Sequence, residues 1–260
     1  MAGRDEVVQM RWTEGPRAAT YPSPWVSPRP QAGEDIKMAC FKDKYALTDR
    51  ENVFLAKKFW SENIYCGMRL ENRNVTFPET ETILQGVNVP NVSLDDIVAI
   101  LNMRDAWKHL LSTITANIDI DYICKINGLV SRNESLEWGV LRTGQVGISG
   151  TSYVPPLPVL ATVGEELSSL LASPASATEK ALRLFLWGAR SQLFWDGNKR
   201  TSLLLANKNL ISNGCGILII KDTNMEQFSL LLTDFYNTNK EDTILTFLYE
   251  NAIKGIDYPA

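Results

Sequence analysis

Histidine is nearly absent from this chain: His109 is the only one among 260 residues. A Ser-His-Asp triad, a two-histidine metal site or a histidine general base must use that residue or be excluded. Cysteine is scarce as well. Cys40, Cys66, Cys124 and Cys215 lie far apart and form no CxxC pair, so they read as reduced thiols of a cytoplasmic protein. Long apolar runs are missing. Aliphatic runs such as Leu203–Ala206 and Ile217–Ile220 fall far short of the roughly 20 residues that cross a bilayer. The opening residues carry Asp5 and Glu6 and no apolar core, so no secretory leader is expected. Positive charge is not in excess: 26 Lys and Arg face 30 Asp and Glu, a net of −4, which argues against a nucleic-acid partner.

What is present is globular. Hydrophobic residues make up 45% and charged residues 22%, with 16 Gly and 12 Pro, which excludes a mostly disordered, collagen-like or low-complexity chain. Pro16, Pro22, Pro24, Pro28 and Pro30 mark residues 1–35 as an extended arm or linker. It is either a free tail or an arm docked through Trp25 and Val26.

Helical punctuation follows. Thr48 and Glu51 form a capping box ahead of Val53, Phe54, Ala56, Phe59, Trp60, Ile64 and Tyr65, which predicts a helix over 48–70. A short helix is expected after Pro78. Ser93 and Asp96 open another, through about residue 112, and Asp119 caps the next. Further helices are predicted over 159–172, 177–194, 199–213, 224–237 and 242–253. Residues 138–156 break this rhythm. Val140, Arg142, Val146, Ile148 and Tyr153 are strand-prone, Gly144, Gly147 and Gly150 punctuate them, and Pro155–Pro156 ends the element. The fold class expected is mostly α with one small β-hairpin or flap. Trp107, Trp138, Trp187 and Trp195 are expected in the core, and His109 as a surface or structural residue.

The string Leu193-Phe194-Trp195-Asp196-Gly197-Asn198-Lys199-Arg200-Thr201 carries the chemistry. It lies between two helical patterns, so it should be a tight loop opening a helix, with free backbone N–H groups at a positive helix end. Gly197 lets the backbone approach a ligand, Lys199 and Arg200 add positive charge, and Asn198 can brace the loop. Asp196 could hold Mg²⁺ beside phosphates. These parts fit a phosphate site, and they equally fit a solvated interhelical turn with a salt bridge.

The same string resembles the signature loop of the Fic/Doc (Fido) family, H-x-F-x-[D/E]-G-N-[G/K]-R. It matches at Phe194, Asp196, Gly197, Asn198, Lys199 and Arg200. Residues 139–156 resemble the family's flap. Residues 67–72 are similar to its inhibitory motif, [S/T]-x-x-x-E-[G/N], at Glu71 and Asn72. The resemblance implies a Fic-type helical bundle over 36–260, with N-terminal helices at 36–113 and the Fic core at 114–260. It implies AMP transfer from ATP to a Ser, Thr or Tyr hydroxyl of a target protein, or phosphoryl transfer in the Doc branch. ATP or another nucleotide with Mg²⁺ would be the cofactor. Asp196 would hold Mg²⁺, and Gly197, Asn198, Lys199 and Arg200 the nucleotide. A protein target would dock on the flap at Arg142, Val146, Ile148 and Tyr153.

Three departures accompany this resemblance. Gln192 stands where the family has its catalytic histidine, and an amide cannot take a proton near neutral pH. Arg200 remains at the catalytic Arg position. Lys199 matches the Doc branch rather than the Gly of AMP-transferring members. Leu203 stands where many of those members have a second Arg, the usual partner of the inhibitory Glu, so Glu71 is either a relic or pairs with Arg200 or Lys199. The sequence thus allows a weak or inactive transferase, a non-catalytic nucleotide- or partner-binding module, or a Doc-like kinase.

Overall fold

Side-chain caps set where half of the described α-helices begin. In the computed structural model, which describes residues 41–257, Thr48 Oγ1 accepts from the Glu51 N–H at 3.3 Å while the Glu51 carboxylate accepts from the Thr48 N–H at 2.8 Å. This box opens α1 (Asp49–Lys58), and Thr76 with Glu79 opens α3 (Phe77–Leu84) in the same way. Ser93, Asp119 and Ser176 cap α4 (Leu94–Ser112), α5 (Ile120–Val130) and α7 (Ala177–Ser191). Such caps are typically worth about 1 kcal/mol each. The Pro-rich arm expected over 1–35, and Cys40, lie outside the described residues.

The helix expected over 48–70 is two helices. α1 ends at Lys58, Phe59 sits at φ −108° and ψ 15°, and α2 runs Trp60–Leu70. Phe59 and Trp60 are adjacent, large and both partly buried against the core. One straight helix turns neighbours about 100° apart, and the break lets both rings reach apolar surroundings. The other helices fall close to expectation: α6 (Leu160–Ala172), α8 (Asn198–Ser212), α9 (Met225–Thr238) and α10 (Asp242–Asn251).

α8 is the axis of the fold. It is buried from Arg200 to Ile211, packs along α7, and is flanked by α1, α2, α4 and α5. Its polar residues survive burial because they clamp backbone. Asn207 donates to Leu218 O at 3.0 Å and accepts from the Leu218 N–H at 2.9 Å, and Asn209 donates to Ala177 O at 2.8 Å.

The strand-prone segment at 138–156 does not form a hairpin. The two-stranded antiparallel ladder instead pairs β1 (Ile217–Leu218) with β2 (Ile253–Lys254), Ile217 opposite Lys254 and Leu218 opposite Ile253. Arg142 explains the difference. Its guanidinium donates to Gln192 O at 2.5 Å, Gly144 O at 2.7 Å, Pro155 O at 3.2 Å and Pro156 O at 2.5 Å. A side chain thus holds the carbonyls at both ends of the segment, and no second strand lies beside it. Residues 143–149 still alternate between exposed and half-buried, with Gly144, Val146 and Ile148 inward. Of the four tryptophans expected inside, Trp107 and Trp187 are fully buried, Trp195 is half-buried and Trp138 is 41% exposed. Trp138 lies in the turn that leaves α5, beyond the helices that could cover it. Among the described residues no helix is long and apolar enough to cross a membrane.

Candidate functional site

α7 ends where its C-cap, Gln192, turns left-handed at φ 47°. The chain then drops Leu193 and Phe194 into the core and rises to Gly197, the N-cap of α8, at φ 73°. A side chain at 197 would be strained by that φ and would meet Val130 Cγ1 at 3.0 Å. Asn198 closes the loop: its Oδ1 accepts from the Phe194 N–H at 2.9 Å, and its Nδ2 donates to Phe194 O at 2.8 Å and Gln192 Oε1 at 3.1 Å.

No side chain caps α8. The first backbone donor to bond back is Thr201, to Gly197 O at 2.8 Å. The N–H groups of Asn198, Lys199 and Arg200 therefore stand at a positive helix end without an intrahelical acceptor. Asp196 is 40% exposed beside them; its Oδ1 accepts the Gly197 N–H at 2.5 Å.

Arg200 is not a free phosphate ligand. Its side chain is fully buried, with Nη1 donating to both oxygens of Glu134 at 3.0 Å. Glu71 lies 3.7 Å from Nε and Asp196 lies 3.7 Å from Nη2, and neither of those nitrogens has a hydrogen-bond partner among the described residues. Burial works against the charge on Arg200, and Glu71, Glu134 and Asp196 more than offset it, so its pKa stands above the ordinary arginine value. Lys199 pairs with Glu71 at 3.1 Å and also donates to Leu70 O. Glu71, the C-cap of α2, is thus brought to both cations, while the neighbouring Asn72 is left-handed at φ 54°. Gly67, in the first position of the inhibitory-like motif, packs closely on Met103: a Cβ there would lie 2.7 Å from Met103 Cε, so a larger residue needs that flexible side chain to shift.

Gln192 faces inward. Its Nε2 donates to Ala189 O at 2.7 Å, and its Oε1 is held by Asn198. Arg142, expected on a target-binding edge, is 2% exposed and spends its donors on carbonyls, so it is a strut rather than a docking residue. Val146, Ile148 and Tyr153 are half-buried. Arg190 lies over the Tyr153 ring at 3.8 Å. Burial raises the Tyr153 phenol's pKa although Arg190 and Arg142 oppose the shift. Gly144 lies so close to the Trp195 ring that only glycine fits, which seats the flap over the loop. His109, on α4, stacks at 6.0 Å on Tyr122 and belongs to no part of this site.

Two further residues build the site and were not singled out from the sequence. Asn127, in α5, donates to Asp196 O at 2.9 Å and Thr201 Oγ1 at 3.2 Å and accepts from the Gly139 N–H at 2.9 Å, tying loop, helix and flap together. Glu134 accepts from Arg200, from Arg73 and from Asn102 Nδ2 at 3.0 Å. An asparagine amid the apolar positions of a helix is the kind of signal that could have flagged Asn127; Glu134, in a turn, had none.

Among the described residues no cluster of three His, Cys, Asp or Glu could hold a metal by itself. Asp196 alone suits Mg²⁺ arriving with a nucleotide, since that ion commonly takes one or two carboxylates plus phosphate oxygens.

Residues 117–210, from the start of α5 through most of α8, match the Fic/DOC family. Several solved structures are similar in fold. Fic-1 from C. elegans is 21% identical with a TM-score of 0.63, over 78% of this chain and 69% of that one. A single-residue variant of Fic-1 is 18% identical with a TM-score of 0.68, over 80% and 64%. A Fic-domain-containing signalling protein from Bacteroides thetaiotaomicron is 18% identical with a TM-score of 0.61, over 78% and 86%. The chain thus spans about two thirds of the C. elegans chains it resembles. None of the curated proteins matches the sequence. The uncapped helix start, the loop that precedes it and the flap above thus lie within the residues, 117–210, that match the Fic/DOC family, in a helical fold similar to those of solved Fic structures.

Proposed function

We propose that the chain binds a nucleoside triphosphate with Mg²⁺ at the start of α8 and transfers AMP to protein hydroxyls weakly or not at all. The observation that carries the nucleotide reading is the uncapped N-terminus of α8, with three backbone N–H groups, Lys199 and Asp196 converging on one loop. Such a helix start is a ready anion site. The Nε and Nη2 of Arg200 support it: Glu71 and Asp196 lie 3.7 Å from them, too far to hydrogen-bond, and a phosphate oxygen would supply that acceptor. Asp196 would hold Mg²⁺, which would neutralise phosphate charge and polarise the phosphoryl oxygens.

Weak transfer follows from Gln192. A target hydroxyl needs a proton acceptor as it attacks, and an amide has none to offer near neutral pH. The Gln192 side chain is already engaged by Ala189 and Asn198. Glu71 and Glu134 further hold the cations that the phosphates would use. A protein target would pair with residues 143–149, whose backbone has no strand partner. Large exposed hydrophobics support docking there: seven of twelve among the described residues fall between Leu136 and Leu160, on and around the flap.

The engagement of Gln192 within its own loop favours a second reading, a nucleotide- or partner-binding module without turnover. Calorimetric titration with Mg-ATP, on wild type and Asp196→Asn, tests binding. Heat in wild type and its loss in the variant is the expected result; no heat with ATP, ADP, GTP or CDP discards the site. α- and γ-labelled ATP incubated with cell lysate separates the activities: α-label on protein marks AMP transfer, γ-label alone marks a kinase, and neither favours the binding module.

A further inference from the structure

A cavity lies at the other end of α8. It has a volume of ≈570 Å³, within the usual range for small-molecule pockets, and is lined by the start of α1, the 114–118 loop, the end of α6 and the last turns of α8. Its walls are largely apolar, with Val53, Ile118, Leu171 and Ile211 among them. Lys208 also lines it and is only 1% exposed.

Lys208 is the anomaly. Buried charges are ordinarily paired with an opposite charge. The other buried cations are answered more fully: Arg200 has Glu134, Arg183 has Glu179 and Glu241, Arg142 has four carbonyls, and Arg190 donates to Tyr236 O and lies over the Tyr153 ring. Lys208 has one acceptor, Ile114 O at 2.5 Å, and the face of the Tyr122 ring at 5.3 Å. An ammonium carries three donors, so two are left without an acceptor among the described residues. Burial alone pushes its pKa down to about 8, and no carboxylate counteracts this. The titratable groups around it are the Tyr122 phenol, bonded to Thr113 Oγ1 at 3.2 Å, His109 behind that ring, and Asp49, which stands at the cavity rim at the start of α1.

We infer that this cavity is a second ligand site, separate from the α8 N-terminus, which takes a small monocarboxylate with an apolar body and seats its carboxylate on the Lys208 ammonium. The apolar walls take the body. A single cation balances a single negative charge, and Asp49 at the rim disfavours a dianion such as phosphate. The ligand supplies the acceptor that the fold withholds from Lys208, so binding also raises the lysine's pKa.

Octanoate is the probe and octanol its neutral counterpart, each titrated into the full chain by calorimetry at pH 7. Saturable 1:1 binding of octanoate is expected, with octanol weaker by about tenfold or more, the worth of one charged hydrogen bond. Lys208→Met should lose that preference, and Leu171→Trp, which fills the cavity, should abolish binding of both. In wild type the preference for octanoate should shrink from pH 7 to pH 9 as the ammonium loses its proton, a readout that needs no variant. Equal binding of octanol and octanoate, full affinity in Lys208→Met, a preference unchanged by pH, or no saturation up to about 10 mM overturns the assignment.

Discussion

Asn127 and Lys208 are both polar residues inside an apolar framework, and they differ in how completely the fold answers them. Asn127 is fully buried and nearly every polar atom it has is used, on Asp196, Thr201, Gly139 and Ser131. Asn127→Ala leaves those partners unmatched in the interior, so a loss of about 2–3 kcal/mol is expected. It should be seen as a lower urea midpoint with an unchanged slope, together with weaker Mg-ATP binding because Asp196 loses its tether. Lys208 is the reverse case. Its pKa falls from 10.5 to about 8 on folding, so between those values the unfolded chain holds more protons and stability rises with pH. At pH 7 the buried ammonium is a burden on the order of 3 kcal/mol, at about 1.4 kcal/mol per pKa unit. Lys208→Met should therefore be more stable than wild type at pH 7, with the gap narrowing by pH 10. An unfolding series at both pH values checks this, and a gap independent of pH refutes it.

At the scale of elements, the α7–loop–α8 unit and the flap depend on each other. Arg142 reaches from the flap to Gln192 O and returns to Pro155 and Pro156, so one fork fastens both ends of an unpaired segment. Arg142→Ala should leave α7 and α8 folded and free the flap. Limited proteolysis between residues 143 and 155 is expected in the variant and not in wild type, and equal protection would count against the strut. Arg142→Lys should not rescue it, because an ammonium cannot span four carbonyls in one plane. The same unit sets the expectation for Gln192→His. An imidazole there, with an unperturbed pKa of about 6.5, can accept a proton at neutral pH. Transfer of α-label should rise by up to about 10²–10⁴, and more when Glu71→Gly also releases Lys199 and Arg200. No α-label with either variant, in a lysate that labels with an active transferase, would leave the binding module as the reading.

Across the whole molecule, one buried ionic network joins the N-terminal helices to the core. Arg73, just past α2, meets Asp96 at 3.0 Å on α4 and also Glu134; Glu134 meets Arg200 on α8, and Glu71 extends the chain from Arg200 to Lys199. Removing one member of a buried pair typically costs about 3–5 kcal/mol, because the charge left behind has no solvent. Glu134→Gln should therefore lower Tm by several degrees at any ionic strength, since buried pairs are little screened. Saturating Mg-ATP should restore part of that loss if phosphate replaces the missing carboxylate at Arg200. A variant Tm that drops only at low salt would mark the network as superficial.

Much of this was legible in the residues. Helix starts follow from Thr48, Thr76, Ser93, Asp119 and Ser176, because a cap is a contact within one turn and needs no distant partner. The 193–201 loop was visible for the same reason: Phe194, Gly197 and Asn198 satisfy each other locally. What tertiary structure decided are the interactions that join residues far apart in the chain. Nothing near Arg142 in sequence says that its guanidinium will take the carbonyls of residues 144, 155, 156 and 192 and leave the expected hairpin without a ladder. Nothing near Glu134 foretells Arg200, 66 residues away. Lys208 looks like a surface lysine until α1, the 114–118 loop and α6 close around it. Periodicity and capping are read along the chain, whereas desolvation and the pairing of buried charge depend on what the other helices bring, and only the folded molecule sets those.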